Sequence, residues 1–138
     1  MPKTFHYKLN VRSYNLDSFG HVNNAVYLNY LEEARCNYLE QMGLSFMDFH
    51  RLKAFAFVVS AHIDYKSPAR FNDLLDIQGQ FSRVRRSSFS TRFVIYNETT
   101  QRICAEADMS FAFVDEEGKV IPMPSLFRDK ILQACEQD

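Results

Sequence analysis

Residues 25–42 read AVYLNYLEEARCNYLEQM, an uninterrupted run without glycine or proline. Tyr27, Leu28, Leu31, Ala34, Tyr38, Leu39 and Met42 recur at helical spacing within it, which predicts a long helix. Val26 and Tyr30 widen the apolar surface well past a narrow stripe, so this helix is expected to be contacted on several sides. Asn23 and Asn24 are suited to cap its start, and Gly43 to stop it.

The chain on either side has a different period. Phe5, Tyr7, Leu9 and Val11 alternate with His6, Lys8, Asn10 and Arg12, the pattern of a half-buried strand. Residues 55–66 repeat it, with Phe55, Phe57, Val59, Ala61, Ile63 and Tyr65 expected on one face and Ser60, His62, Asp64 and Lys66 on the other. A turn follows at residues 67–73, marked by Pro68. Leu75, Ile77 and Phe81 mark a third strand, with Gly79 as a bulge candidate, and Phe89, Phe93 and Ile95 a fourth. After a turn at residues 97–100, Ala105, Ala107, Met109, Phe111 and Phe113 face away from Glu106, Asp108 and Ser110. Asp115 to Gly118 close that strand, and a second helix is expected from Ser125 to Ala134.

Strand, long helix, four strands and a short helix imply an α+β fold: a curved antiparallel β-sheet wrapped around a long central helix, with a short C-terminal helix. This is the hotdog architecture. With 138 residues and no linker or repeat, the chain reads as one domain over residues 1–138. Such a sheet leaves an edge strand open, and pairing two edges across a twofold axis removes it, so a homodimer is expected.

Composition excludes several function classes. Sixteen basic and seventeen acidic side chains leave a formal net charge of −1, so no global field gathers nucleic acid. Glycines at 20, 43, 79 and 118 are too dispersed for a dinucleotide fingerprint, a P-loop or a nucleophile elbow. Cys36, Cys104 and Cys135 form neither a disulfide framework nor a C-x-x-C site, and the four histidines form no metal-binding pair. Cys36, in mid-helix, is expected to be buried and inert. No stretch is long and apolar enough for a membrane span and no signal core precedes the first strand, so a cytoplasmic location is the expectation.

The loop Ser13-Tyr14-Asn15-Leu16-Asp17-Ser18-Phe19-Gly20-His21-Val22-Asn23-Asn24 holds an acid, a histidine and amides, and it runs into a helix N-terminus. Unpaired N–H groups there can stabilise negative charge developing on a carbonyl oxygen. Asp17 can serve as a general base on water or attack the carbonyl itself. The competing reading is that Asp17 and the asparagines only cap turns and the helix.

The run from Asn15 to Leu28, continuing through Glu32-Glu33-Ala34-Arg35, resembles the signature of the 4-hydroxybenzoyl-CoA thioesterase family, hotdog acyl-CoA thioesterases. The likeness is strongest to the bacterial branch acting on fatty and long-chain acyl-CoA. It continues through Phe57-Val58-Val59, Tyr65-Lys66-Ser67-Pro68-Ala69 and Asp73. The resemblance implies that Asp17 is the catalytic carboxylate and that the backbone N–H groups of Asn24 and Ala25 polarise the thioester carbonyl. It implies that His21, Asn23 and Tyr27 shape the loop or bind near the thioester. Many relatives carry a second acid where this chain has Asn15, which leaves Asp17 as the lone carboxylate of the loop. Glu32 and Arg35 match the family's E-x-A-R pattern and, one turn apart, suit an ion pair.

Acyl-CoA as substrate requires a local site for phosphate. Arg83, Arg85 and Arg86, with Ser87 and Ser88, form the densest candidate, since guanidinium groups bind phosphate bidentately; a solvated turn is the alternative. Lys66 and Arg70 form a second candidate patch. Phe46, Met47, Phe49 and Phe55 are candidates for lining an acyl slot or for simple core. The expectation is a hydrolase without a metal or separate cofactor, coenzyme A being part of the substrate, assembled as a homodimer or a dimer of dimers. A non-catalytic binding module for acyl-CoA or acyl carrier protein is a rival on the same scaffold, and an enoyl-CoA hydratase another.

Overall fold

The computed structural model describes residues 1–136. Its strands are β1 (Phe5–Asn10), β2 (Phe55–Tyr65), β3 (Leu74–Ser82), β4 (Ser88–Asn97) and β5 (Arg102–Val114). Its helices are α1 (Asn24–Gln41), α2 (Phe46–Leu52) and α3 (Ser125–Glu136), and a single 3-10 turn spans Ser13–Asn15. The strands form one sheet in the order β1-β3-β4-β5-β2, with every pairing antiparallel. The hotdog arrangement expected from the alternation is present.

The period-2 pattern sorts the two faces. Ala105, Ala107, Met109, Phe111 and Phe113 of β5 are buried, as are Phe89, Phe93 and Ile95 of β4 and Leu75, Ile77 and Phe81 of β3. Helix α1 lies on that face and buries Tyr27, Leu31, Ala34 and Tyr38, residues three to four apart, together with Tyr30, Arg35 and Leu39. Tyr38 is the central knob: its ring stands 5.3 Å from Phe5 and 6.1 Å from Phe93, and its hydroxyl donates to the Ile77 carbonyl. Gly79, expected as a bulge, pairs in unbroken register with Phe5 and Phe93. Its role is room, since a Cβ there would collide with the Tyr38 ring.

The start of α1 is capped as the sequence indicates, with Asn23 accepting the Ala25 N–H through its side chain, and Gly43 just past the end has φ 82°. Two helix residues depart from expectation. Leu28 is half exposed, and Cys36 is exposed rather than buried. Both lie away from the Tyr27-Leu31-Ala34-Tyr38 stripe that meets the sheet.

Helix α2 is absent from the sequence reading. Seven residues are too few to show a period, and the local signal was Ser45 followed by Asp48, whose carboxylate accepts the Ser45 N–H at 2.8 Å. Only Phe49 of this helix is buried, stacked 4.6 Å from Phe127 of α3 and 6.3 Å from Phe113. Phe46 and Met47 are exposed.

Strand β2 corrects the single-face expectation. Its register with β5 shifts between Val58, opposite Phe111, and Ser60, opposite Ser110. Val59 is the extra residue of a bulge, and one extra residue reverses the alternation. Phe55 and Phe57 therefore share a face with Ser60, His62 and Asp64, whereas Ala61, Ile63 and Tyr65 point with Phe111 toward α1. Strand β2 is an edge, and Phe57 and Val59 on it are each 63% exposed. Among the described residues no helix is long and apolar enough to cross a membrane.

Candidate active site

The loop from β1 to α1 is built on Asp17. Its Oδ1 accepts the Phe19 N–H at 2.9 Å and the His21 N–H at 3.2 Å, and its own N–H donates to the His21 carbonyl at 2.8 Å. Gly20 closes this tight turn at φ 77°, a conformation that favours glycine. The turn-capping role anticipated for Asp17 is thus real, yet it occupies Oδ1 alone. Oδ2 accepts no hydrogen bond from the described residues.

The opposite wall comes from the connection between β2 and β3. Val22 N–H donates to the Ala69 carbonyl at 2.9 Å, and His21 forms an antiparallel bridge with Arg70. These contacts place Asp17, His21, Asn24 and Tyr27 around one cleft of about 230 Å³ with Tyr65, Lys66, Ser67 and Pro68. The helix start opens into it. Val26 N–H is donated to the Asn23 carbonyl and Ala25 N–H to Asn23 Oδ1, so Ala25's amide, expected as a second carbonyl donor, is already engaged by the cap. Asn24's N–H has no acceptor among the described residues and retains its share of the positive helix end.

The remaining walls set the electrostatics. Burial raises the Tyr27 phenol to about 12, although a hydrogen bond from the Ala69 backbone partly favours its ionised form. Tyr27 is therefore a neutral donor at physiological pH and no base. Its ring meets that of Tyr65 edge-on at 5.4 Å. Lys66 lies on the rim with its Nζ 3.8 Å from the Glu106 carboxylate, which offsets its charge. An acid with a free oxygen and a free helix-terminal amide can together polarise a carbonyl and deliver water to it. Among the described residues no group of three or more His, Cys, Asp or Glu is placed to hold a metal ion.

A family profile described as the thioesterase-like superfamily matches residues 11–132, nearly the whole chain and all of this cleft. The chain belongs to that superfamily. It is 36% identical over 128 residues to the long-chain acyl-CoA thioesterase FadM of Escherichia coli, a match covering 91% of this chain and 96% of FadM. It is 29% identical to the acyl-acyl carrier protein thioesterase ATL3, chloroplastic, of Arabidopsis thaliana, over 95% of this chain and 69% of that protein. Among solved structures, the probable thioesterase YbaW of Escherichia coli superposes with a TM-score of 0.79 at 33% identity, covering 95% of this chain and 98% of that one. The fold also matches Slr0204 of Synechocystis, with a TM-score of 0.86 at 23% identity over 94% and 96% of the two chains. The curated relatives named here are thioesterases, and the chain is accordingly a thioester hydrolase.

Other sequence candidates lie elsewhere on this thioesterase scaffold. Arg83, Arg85 and Arg86 are exposed and unpaired with any carboxylate among the described residues, and Arg83 and Arg85 line a separate cleft of about 230 Å³ with Ser88 and Val59. Ser87 serves the backbone, its carbonyl accepting the Phe113 N–H. Tyr65 closes the Asp17 cleft and Val59 borders the arginine cleft, six residues apart on β2, which is about 20 Å of extended strand. The arginine hairpin therefore does not join Asp17 within one chain. Nor does the Phe46–Phe49 cluster, which sits at the Phe55 end of β2. Glu32 and Arg35 form the expected ion pair, with Arg35 buried over the Phe111 ring at 4.7 Å. Sequence reasoning left Tyr65, Ser67 and Pro68 out of the site, although they belong to the stretch that carries the family resemblance.

Proposed function

We propose that this thioesterase hydrolyses fatty acyl-CoA to free acid and coenzyme A, with Asp17 as the general base. The observation that carries the reading is the shared cleft, lined both by Asp17, whose Oδ2 is uncommitted, and by Asn24, whose N–H is uncommitted. The fatty acyl-CoA assignment rests on the likeness to a long-chain acyl-CoA thioesterase over nearly the full length of both chains.

In this mechanism a water molecule attacks the thioester carbonyl and its proton passes to Asp17 Oδ2. Negative charge on the carbonyl oxygen is met by Asn24 N–H at the positive end of α1. Collapse of the tetrahedral species breaks the C–S bond, and the departing thiolate takes the proton back from Asp17. His21 and Tyr27 shape the pocket, and Asn23 presents the helix start. Tyr27, held neutral by its burial, contributes a donor and no base.

The open β2 edge supports a homodimer paired through that strand. Antiparallel pairing of two β2 strands sets the Phe55 end of one beside the Tyr65 end of the other. The guanidinium groups of the partner subunit then lie at the same end of the sheet as Asp17, where they can hold the phosphates of coenzyme A. The same inversion brings the apolar surface of the partner subunit's α2 toward the acyl chain.

Asp17→Asn tests the proposal. The amide oxygen preserves the acceptor for Phe19 and His21, so folding and acyl-CoA binding should persist while thiol release falls about 10²–10⁴-fold. Turnover unchanged in this variant assigns the hydrolysis to another group. A single turnover in ¹⁸O-labelled water separates base from nucleophile. General-base attack labels the acid product and leaves Asp17 unlabelled, so an unlabelled first product or label found in Asp17 shows attack by the carboxylate.

A further inference from the structure

We infer that Asp73, which does not line the cleft, is a positioning residue that sets the placement of Asp17 through a relay of backbone hydrogen bonds. The inference rests on the reading of Asp17 as the base. Asp73 is a buried carboxylate, only 7% exposed, on the connection between β2 and β3. No cation pairs with it among the described residues. Its Oδ2 accepts two hydrogen bonds instead, from the Arg70 N–H at 2.9 Å and from Asn97 Nδ2 at 2.8 Å. Asn97 has no exposed surface and turns its amide oxygen to the N–H groups of Thr99 and Thr100, at 3.0 and 3.2 Å. Asn97 is thereby oriented by the β4–β5 turn, with one face left for Asp73.

From Asp73 the order runs outward in two directions that meet at the site. Its carbonyl accepts the Val11 N–H at 3.0 Å, which fixes where the chain leaves β1 for the Asp17 loop. Its side chain fixes Arg70, which bridges to His21, and the neighbouring Ala69 carbonyl accepts the Val22 N–H. His21 in turn holds both the N–H and Oδ1 of Asp17. One wall is thus referred to the buried carboxylate through Arg70, and the start of the Asp17 loop to the backbone of the same residue. A buried charge that is satisfied only by oriented donors admits little displacement of those donors. The arrangement explains why a carboxylate is held inside the protein with no ion-pair partner.

The pair can be inverted, and this supplies the test. In Asn97→Asp two carboxylates face each other and the donor to Asp73 is lost. Because Oδ2 alone makes both natural bonds, the double variant Asp73→Asn/Asn97→Asp requires the amide at 73 to rotate; its oxygen then accepts from Arg70 and its nitrogen donates to the introduced carboxylate, whose second oxygen accepts from Thr99 and Thr100. Steady-state thiol release from a fatty acyl-CoA, measured well below each variant's melting temperature, should show kcat reduced about 10- to 100-fold in Asn97→Asp with KM nearly unchanged, as expected for a displaced catalytic group. The inverted pair should recover kcat to within about threefold of the natural chain, since less than 1 kcal/mol of barrier then separates them. Should Asn97→Asp fail to fold, Asp73→Asn takes its place, and the inverted pair must still exceed it in kcat. A folded single variant with unchanged kcat, or a folded inverted pair no faster than the single, overturns the inference, because a purely structural role moves stability without this pattern. A natural chain that leaves fatty acyl-CoA intact would instead overturn the proposed function on which the inference rests.

Discussion

The Tyr65 hydroxyl donates to the Asn24 carbonyl at 3.2 Å, joining the last residue of β2 to the first residue of α1. The helix terminus that faces the cleft is thus tied to the sheet edge 41 residues later. Removing only that oxygen, as Tyr65→Phe, preserves the ring against Tyr27 and should cost about 0.5–1.5 kcal/mol of stability, the usual net worth of such a bond. Because the Asn24 amide keeps its helical geometry, kcat should fall by less than about tenfold, under 1.4 kcal/mol of barrier. Thermal unfolding together with thiol-release kinetics checks both values. A loss a hundredfold or greater would put the Tyr65 hydroxyl in contact with the reacting atoms.

Asn15 occupies the position where many relatives of the 4-hydroxybenzoyl-CoA thioesterase type have a second acid. Here its Oδ1 accepts the Arg12 N–H at 2.8 Å and the Tyr30 hydroxyl at 2.9 Å, so the side chain serves the short turn before Asp17. A carboxylate can accept both bonds equally well. Asn15→Asp should therefore leave the fold intact and change kcat by no more than about threefold, less than 1 kcal/mol of barrier. A large gain in turnover would show that the second acid reaches the substrate after all.

Tyr27, Tyr30 and Tyr38 make stability sensitive to alkali. Burial raises all three phenols, Tyr27 to about 12 and the other two further. Below the unfolded-state value of about 10 both states are protonated and their contribution is complete. Above it the unfolded chain releases these protons while the folded chain keeps them, so stability falls as pH rises. Each phenol adds a slope of up to about 1.4 kcal/mol per pH unit until it ionises in the folded state. Denaturant unfolding midpoints measured from pH 8 to 11.5 should be flat at first and then decline. The part of the tyrosinate absorbance that belongs to Tyr27, Tyr30 and Tyr38 should rise only with the loss of helical circular dichroism, and titration of all seven tyrosines in a fully folded protein would contradict this.

Much of this organisation is legible before any coordinates, for identifiable reasons. Strands β4 and β5 are half-buried over many residues, so alternation reveals both their existence and their inward faces. Helix α1 is long enough for its period to emerge, and Asn23 marks its start through cap chemistry. Strand β2 misleads because a single extra residue, Val59, inverts the phase of everything beyond it, and no local composition announces a bulge. Gly79 misleads for the opposite reason, since its constraint is a ring from α1 and has no local cause. At the site, the Asp17–Asn24 wall is contiguous in sequence and can be recognised as such. The Tyr65–Pro68 wall meets it only through long-range bridges such as His21 to Arg70. Asn24 and Ala25 look equivalent as donors until the Asn23 side chain is seen to take one of them.

The proposed dimer makes the sheet edge part of the catalytic unit. Phe57 and Val59 are exposed on β2, which presents an open row of backbone hydrogen-bonding groups. Replacing both with lysine, as Phe57→Lys/Val59→Lys, should oppose edge pairing by placing like charges about the twofold axis without disturbing the buried face toward α1. Light scattering should then report a mass near 16.2 kDa, with far-UV circular dichroism retained. Turnover should drop because acyl-CoA loses the arginine hairpin supplied by the second chain. The loss should be greater for acyl-CoA than for a short thioester lacking the nucleotide, since only the former uses those phosphate contacts. A folded monomer that hydrolyses both substrates at the rate of the natural protein would show that one chain holds the complete site.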